Sequence, residues 1–284
     1  MTGPDAPPPT LPAAAVEEGE LLGTGAQGAV RVAEIATPRS TGLVHKRFGE
    51  GLAVRGDRLM ALVRWRRDLP PDERAWLDER AAWPLTMTHQ DGDLVGVLMR
   101  RAAGRFTIGL TLPSGTTRTT LSELQFLVTS DARLSRVGLD PIDQATRLEV
   151  LRATAELLAF FHERDVVVGD ISPKNVLWAR DPGAVHLLDC DAFRLAGELP
   201  AVEQLHSRSW TDPSFAATQN RQSDVFKLGL LVLRVLSRNG TATDPALASG
   251  QLDDVGMWML RRTLAAEPSA RPSAAEWVRY LWSG

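Results

Sequence analysis

The segment "VVVGDISPKNVLW", Val166–Trp178, places three polar side chains between two apolar runs. Asp170, Lys174 and Asn175 stand within six residues of one another. The flanking apolar residues predict two short buried strands. Polar groups at the ends of buried strands indicate either an ordinary polar turn or a functional site.

The bulk composition limits the class of protein. The chain has 284 residues, enough for one large domain or for two lobes that share a cleft. Its formal net charge of −3 gives no electrostatic reason to expect a nucleic-acid or membrane partner. The single cysteine, Cys190, excludes an internal disulfide and favours a reducing compartment. With no bilayer-length apolar run, no secretory signal pattern and no metal-ligand spacing among the histidines, we expect a cytoplasmic protein without a structural metal.

The first third of the chain predicts mostly strands. Residues 1–16 are rich in Pro and Ala, which predicts a disordered or extended tail. Residues 17–99 are strand-like, with one helical interval over residues 57–82. The turn signal Asp91–Gly92 lies between two apolar runs and predicts a hairpin.

The remainder, residues 100–284, is predicted to be mainly helical. Apolar residues three or four apart mark a long helix that ends near His162. A second hairpin is predicted around Asp181–Gly183. Residues 224–236 are apolar nearly all round, which is typical of a buried helix. The fold class is therefore α+β, with a small β-rich lobe and a larger helical lobe.

A glycine-rich turn and a lysine follow one another in the β-rich part. Gly23, Gly25 and Gly28 form the pattern G-x-G-x-x-G, followed by Val30, and glycines let a backbone approach phosphate oxygens closely. Lys46 lies within an apolar strand, where a charge is costly unless it is paired or bound to a ligand. Alternatively, the turn is an ordinary hairpin and Lys46 lies in water on an edge strand. Together the two features favour a phosphate site.

Three polar residues of the second part suit phosphoryl transfer. An Asp such as Asp170, placed at a reacting hydroxyl, can accept its proton. Asn175 and Asp189 carry oxygen ligands of the kind that bind divalent metal on phosphate groups.

These motifs, in this order, resemble those of the eukaryotic-like protein kinase family over roughly residues 18–282. "LGTGAQGAV" resembles the glycine-rich loop, and "SDVFKLG" resembles the buried helix whose Asp, here Asp224, braces the catalytic loop. "WTDPSF" resembles the end of the activation segment, and Arg271-Pro272 the family's Arg-Pro. The Gly-Asp catalytic loop and the Asp-x-Asp in place of Asp-Phe-Gly are similar to a subgroup of bacterial kinases. The resemblance implies a bilobal kinase-like fold with ATP and Mg²⁺ as cofactors.

The resemblance also implies a role for each matching residue. Asp170 would be the catalytic base, Lys46 would hold the ATP phosphates, and Asn175 and Asp189 would bind Mg²⁺. Glu73, or alternatively Glu79, would pair with Lys46. Ser207 would contact Asp170, as a Thr does in Ser/Thr kinases. The adenine site would comprise Val30, Val44, Leu98, Met99, Arg101 and Leu177.

The chain departs from the family pattern at several positions. Val168 and Gly169 replace the usual His-Arg, so we expect activity that does not depend on phosphorylation of the activation segment. Lys174 is expected to take over from the lysine that Ser172 replaces. Cys190 and Asp191 replace Phe and Gly; Asp191 either adds a carboxylate near the metal or caps a turn. Ser214 replaces a Glu, which would leave Arg271 without its expected partner.

Three functions fit this sequence. The first is a Ser/Thr protein kinase of unknown substrate, associated by resemblance with von Willebrand A or phosphatase partners. The second is a phosphotransferase for small molecules, of the aminoglycoside or choline type. The third is a pseudokinase that binds nucleotide without turnover. The residues expected for the chemistry favour the first function.

Overall fold

The computed structural model describes residues 7–36, 39–180, 184–204, 207, 209–215 and 219–283. The chain divides into two compact units. The first comprises residues 1–103 and 188–204, and the second comprises residues 104–187 and 205–284. The boundary predicted from the sequence falls after residue 99, and the sequence pattern does not predict that residues 188–204 belong with the first unit.

The first unit is built on a six-stranded sheet with two helices. Its elements are β1 (Thr10–Pro12), β2 (Val16–Gly25), β3 (Gly28–Ala36), β4 (Arg39–Phe48), α1 (Gly56–Asp68), α2 (Pro71–Arg80), β5 (Thr86–Gln90) and β6 (Asp93–Arg100). The strand order is β1-β5-β6-β4-β3-β2. All neighbours are antiparallel except β1 and β5, which run parallel. Asp91 and Gly92 both have positive φ, which confirms the predicted β5–β6 hairpin and suits a type I′ turn.

The tail expected to be disordered or extended over residues 1–16 contributes to this sheet where the structure describes it, with Thr10–Pro12 forming β1 and Val16 beginning β2. The backbone amide of Met87 donates to the Pro9 carbonyl at 2.9 Å, and Thr86 Oγ1 donates to the Pro8 carbonyl at 2.8 Å. Proline lacks the amide hydrogen that an inner strand needs, but its carbonyl still accepts hydrogen bonds. A proline-rich segment therefore fits the outer edge of the sheet, where β1 lies.

The single helix expected over residues 57–82 is two helices. Pro71 is the first residue of α2, a position that prolines favour because the amide hydrogen there has no partner within the helix. Pro70 disfavours helical geometry in the residue before it, Leu69, so α1 ends at Asp68. As a result Glu73 lies in the first turn of a new helix.

The second unit contains most of the helices. Its elements are β7 (Thr107–Thr111), β8 (Thr117–Leu121), α3 (Asp131–Ser135), α4 (Gln144–Glu163), β9 (Val166–Val167), β10 (Val176–Trp178), β11 (Val185–Leu187), α5 (Arg221–Ser237), α6 (Asp254–Thr263) and α7 (Ala274–Ser283). A last strand, β12 (Arg194–Leu195), belongs to the first unit. The β7–β8 and β10–β11 pairs are antiparallel. The predicted turn at 181–183 lies outside the described residues.

The long helices form where the sequence predicts them. α4 begins after Asp143, whose side chain caps the helix by accepting from the amide of Thr146 at 2.7 Å. α5 begins with a capping box between Asn220 and Ser223. Nearly every residue of α5 is buried, and it contacts both α4 and α6. The mixed α+β class, with a β-rich first part and a helical second part, is confirmed.

Among the described residues, none of the helices is both long and apolar enough to cross a membrane.

Candidate functional site

The glycine-rich segment is a tight hairpin between β2 and β3, with Gly25 paired with Gly28. Gly28 has φ of +146°, and a Cβ built there would lie 1.9 Å from the Arg47 carbonyl oxygen. Gly28 is therefore required by its close approach to β4. A Cβ at Gly23 or Gly25 would meet no atom within 4 Å, so packing does not explain these two glycines.

Lys46 lies on an inner strand, which excludes the edge-strand alternative. It pairs with Val30 of β3 and Val97 of β6, and Val44 pairs with Met99. Residues directly opposite in a sheet share a face, so these five side chains lie on one face.

The register corrects the adenine site predicted from the sequence. Leu98 lies on the opposite face from Lys46, where it is fully buried with Val16, Ile35 and Leu43 in the core cluster. It is a core residue and not part of a pocket with Lys46.

Val30, Val44 and Met99 share the face of Lys46, and Arg101 is exposed beyond the end of β6. Leu177 lies in β10 of the second unit and is fully buried.

The ammonium group of Lys46 is buried among oxygen atoms of the first unit. Its Nζ lies 2.9 Å from Asp191 Oδ1 and 3.3 Å from Asp189 Oδ1. It also donates to Gln27 Oε1 at 3.3 Å, and Gln27, at the tip of the glycine-rich hairpin, donates in turn to the Glu203 carbonyl. Burial alone would lower the pKa of Lys46, but the two aspartates outweigh it and raise that pKa.

The predicted pairing of Lys46 with a glutamate of α2 was wrong. Within the part of the chain that the structure describes, the ion pairs of Lys46 run to Asp189 and Asp191, and neither Glu73 nor Glu79 is among its partners. Glu73 occupies the first turn of α2, where a carboxylate is stabilised by the helix dipole.

The main chain just before Asp170 is held by Asp224. Asp224 Oδ2 accepts from the amide of Val168 and Oδ1 from the amide of Gly169, both at 2.8 Å. His162 Nε2 lies 3.1 Å from Oδ2. The prediction that Asp224 braces this loop is confirmed. Gly169 has φ of +82°, a conformation that glycine adopts without strain.

Lys227 holds the same stretch of main chain, and it was not among the site residues expected from the sequence. It is fully buried, and its Nζ donates to the Gly169 carbonyl at 2.6 Å and to Gln219 Oε1. Burial lowers the pKa of Lys227. The signal was its rarity: the chain uses only three lysines and otherwise arginine.

The two carboxylate oxygens of Asp170 differ in their hydrogen bonding. Oδ2 accepts from Asn175 Nδ2 at 2.9 Å and from Ser207 Oγ at 3.2 Å. The predicted Ser207–Asp170 contact is therefore confirmed. Oδ1 is buried and has no hydrogen-bond partner among the described residues. Burial raises the pKa of Asp170, against the charge of Lys227 and the hydrogen bonds from Ser207 and Asn175.

Lys174 is exposed on the same loop, while Ser172 is buried. Burial raises the pKa of Glu123, and the charge of Lys174 opposes this rise. The charge of Lys174 therefore acts on Glu123.

Arg271 has a partner, contrary to expectation. Its guanidinium group forms a two-pronged ion pair with Asp212, one contact being Nη2 to Oδ1 at 3.1 Å. Both side chains are fully buried. Asp212, two residues before Ser214, thus supplies the carboxylate that was expected from the Glu that Ser214 replaces.

The residues proposed for metal binding occur in separate units, Asp189 in the first and Asn175 in the second. Asp189 is half exposed, so its carboxylate is accessible to a cation. Asn175 uses its amide nitrogen on the main-chain and side-chain oxygens of Asp170, which leaves its amide oxygen as the atom suited to a metal. The described residues include no cluster of three or more His, Cys, Asp or Glu side chains that could hold a metal.

The chain is similar to two proteins of Arabidopsis thaliana. They are named probable serine/threonine-protein kinase PBL18, 32% identical over 117 residues, and probable serine/threonine-protein kinase PBL4, 32% identical over 113 residues. The matches cover 38% and 37% of this chain, and 29% and 26% of the plant proteins. No protein-family model matches the chain. These similarities, with the mixed α+β architecture, support a protein-kinase-like family and a kinase function in general.

Proposed function

We propose that this chain is a Ser/Thr protein kinase that transfers the γ-phosphoryl group of ATP to a protein hydroxyl. The observation that carries the proposal is the environment of Asp170. One carboxylate oxygen is fixed by Asn175 and Ser207, and the other is buried with no hydrogen-bond partner in the part of the chain that the structure describes. A carboxylate held in this way is prepared to accept a hydrogen bond from an incoming hydroxyl group.

In the proposed reaction, the substrate hydroxyl oxygen forms a bond to the γ-phosphorus, and the bond from that phosphorus to ADP breaks. The hydroxyl proton passes to Asp170 Oδ1. Asp224 and Lys227 fix the main chain on the N-terminal side of Asp170, and so keep its carboxylate in place.

The other residues would bind the nucleotide. Lys46 would hold phosphate oxygens, and Asp189 and Asn175 would each offer an oxygen ligand to Mg²⁺, which would supply positive charge to offset that of the phosphates. Gly23 and Gly25 leave room for a phosphate to approach the hairpin. Lys174 would balance charge on the transferred group.

The test is transfer of labelled phosphate from ATP by the purified chain with Mg²⁺. The acceptors are a generic protein, the chain itself and a panel of small alcohols. Asp170→Asn keeps the shape of the side chain but removes the base, so we expect a rate loss of about 10²–10⁴-fold. Asp244→Asn, an exposed carboxylate of the same unit, is the matched control and should keep wild-type activity.

Label on serine or threonine that the Asp170 variant loses would support a protein kinase. Label only on a small alcohol would replace the proposal with a small-molecule phosphotransferase. Nucleotide binding without any transfer would indicate a pseudokinase.

A further inference from the structure

The turn Asp189–Asp191 presents two carboxylates to one buried ammonium group. Lys46 Nζ lies closer to Asp191 than to Asp189, at 2.9 and 3.3 Å. The side chain of Asp191 is 0% exposed and that of Asp189 is 50% exposed, while that of Lys46 is 4% exposed. The two aspartates therefore differ much more in burial than in distance.

This difference in burial gives the two aspartates different roles, with Asp191 as the partner of Lys46 and Asp189 as a candidate cation ligand. A fully buried carboxylate is costly unless an opposite charge accompanies it, and so is a buried ammonium group. Asp191 Oδ1 and the Lys46 ammonium group meet that need for each other, while Asp191 Oδ2 is buried with no hydrogen-bond partner among the described residues. The half-exposed Asp189 can turn towards a cation in solvent, because Lys46 keeps Asp191 as its partner.

The main chain fixes Asp191 in position. Residues Cys190–Ala192 form a short 3₁₀ helix, in which the amide of Phe193 donates to the Cys190 carbonyl at 3.2 Å. Gln204 Nε2 donates to the Ala192 carbonyl at 3.1 Å. The Phe193 ring packs edge-on against Trp83, with ring centroids 5.7 Å apart. The main chain on both sides of Asp191 is thus held in place.

We propose that Asp191 is the positioning residue of Lys46, in the place where a glutamate from a helix was expected. The purpose of this positioning, which is to aim the ammonium group at nucleotide phosphates, rests on the proposed function. Because Asp191 stands two residues after Asp189, one rigid turn sets both the phosphate-binding lysine and the candidate metal ligand. The α2 glutamates have no part in it.

The pair itself is tested without any assay of activity, by a double-mutant cycle on chemical unfolding with Lys46→Met and Asp191→Asn. Lys46→Met leaves the buried Asp191 without its cation, Asp191→Asn leaves Lys46 with Asp189 and Gln27 as its partners, and the double variant removes both members of the pair. We expect the two changes to be coupled by more than tenfold in the unfolding equilibrium constant. The matched cycle of Lys46→Met with Asp189→Asn should show a much smaller coupling, because Asp189 reaches solvent. Equal coupling in both cycles would overturn the inference.

The positioning role is tested by binding of a fluorescent ATP analogue in EDTA, where no metal is present. We expect Asp191→Asn to weaken binding about tenfold or more, and Glu73→Gln and Glu79→Gln to leave it unchanged. The magnesium concentration for half-maximal activity should not change in Asp191→Asn. A change in the magnesium requirement with unchanged metal-free binding would make Asp191 a metal ligand and overturn the inference.

Failure of the inference can be told from failure of the proposed function. If the wild type binds the ATP analogue and Asp191→Asn binds it equally well, the positioning role alone is overturned. A wild-type chain that binds no nucleotide, with strong coupling in the first cycle, would overturn the proposed function and with it the purpose of the pair.

Discussion

At the scale of single residues, His45 shows how burial decides the behaviour of a charge. Its ring is fully buried, with Nδ1 2.6 Å from Glu18 Oε1 and Nε2 2.8 Å from Thr88 Oγ1. Burial lowers the pKa of His45 from 6.5, although Glu18 acts to raise it. The folded chain therefore favours the neutral imidazole.

This shift predicts a pH dependence of stability. A histidine whose folded-state pKa lies below its unfolded value contributes stability that is fully present above the unfolded pKa. That contribution is lost as the pH falls through the folded-state pKa. We expect the free energy of unfolding of the wild type, measured in urea, to fall from about pH 7 to about pH 5. His45→Gln should flatten this fall, and His89→Gln, a partly exposed histidine of the same sheet, should not. Parallel curves for the wild type and His45→Gln would contradict the prediction.

At the scale of elements, the β2–β3 hairpin contains glycines with two different purposes. Gly28 is needed by the fold, because a Cβ there would collide with the Arg47 carbonyl. Gly23 has open space around it and is needed only if a ligand approaches. The sequence pattern presents them as equivalent members of one motif.

Alanine substitution separates the two glycines. Gly28→Ala should lower the free energy of unfolding by at least ~2 kcal/mol, from the collision and from the positive φ. Gly23→Ala should change it by about 0.5 kcal/mol or less. Under the proposed function Gly23→Ala should still weaken nucleotide binding. Urea unfolding measures the first two effects, and equal losses of stability in both variants would show that the hairpin packs differently.

Elements with local signals were predictable from the sequence. The β5–β6 hairpin follows from Asp91–Gly92, and α5 follows from its apolar run. The Pro70-Pro71 break between α1 and α2 was missed, although proline chemistry explains it. The partners of Lys46 and Arg271 were missed for a different reason. An ion pair between residues far apart in the chain depends on strand register and loop path, which a single sequence does not state.

At the scale of the whole molecule, buried charge is paired across long stretches of chain. The Arg271–Asp212 pair joins the segment before α7 to the segment before α5 within the second unit. Arg271 Nη1 also donates to the Gln222 carbonyl at 2.9 Å. One guanidinium group therefore ties together segments that share no local sequence signal.

Loss of this pair should cost much more than loss of a surface pair. Arg271→Gln leaves Asp212 buried without its cation, so we expect a loss of about 3–5 kcal/mol in the free energy of unfolding. Arg221→Gln removes the exposed pair with Asp165 and should cost about 1 kcal/mol or less. Chemical denaturation measures both changes. A small loss for Arg271→Gln would mean that water reaches Asp212.

Cys190 stands between Asp189 and Asp191 in the chain, and its side chain is fully buried. Burial raises its pKa well above the usual range, and the neighbouring carboxylates raise it further. A neutral, enclosed thiol does not react with electrophiles until its surroundings open. Because the chain has no other cysteine, the rate of alkylation measures a single event, the local opening of the turn that carries both carboxylates.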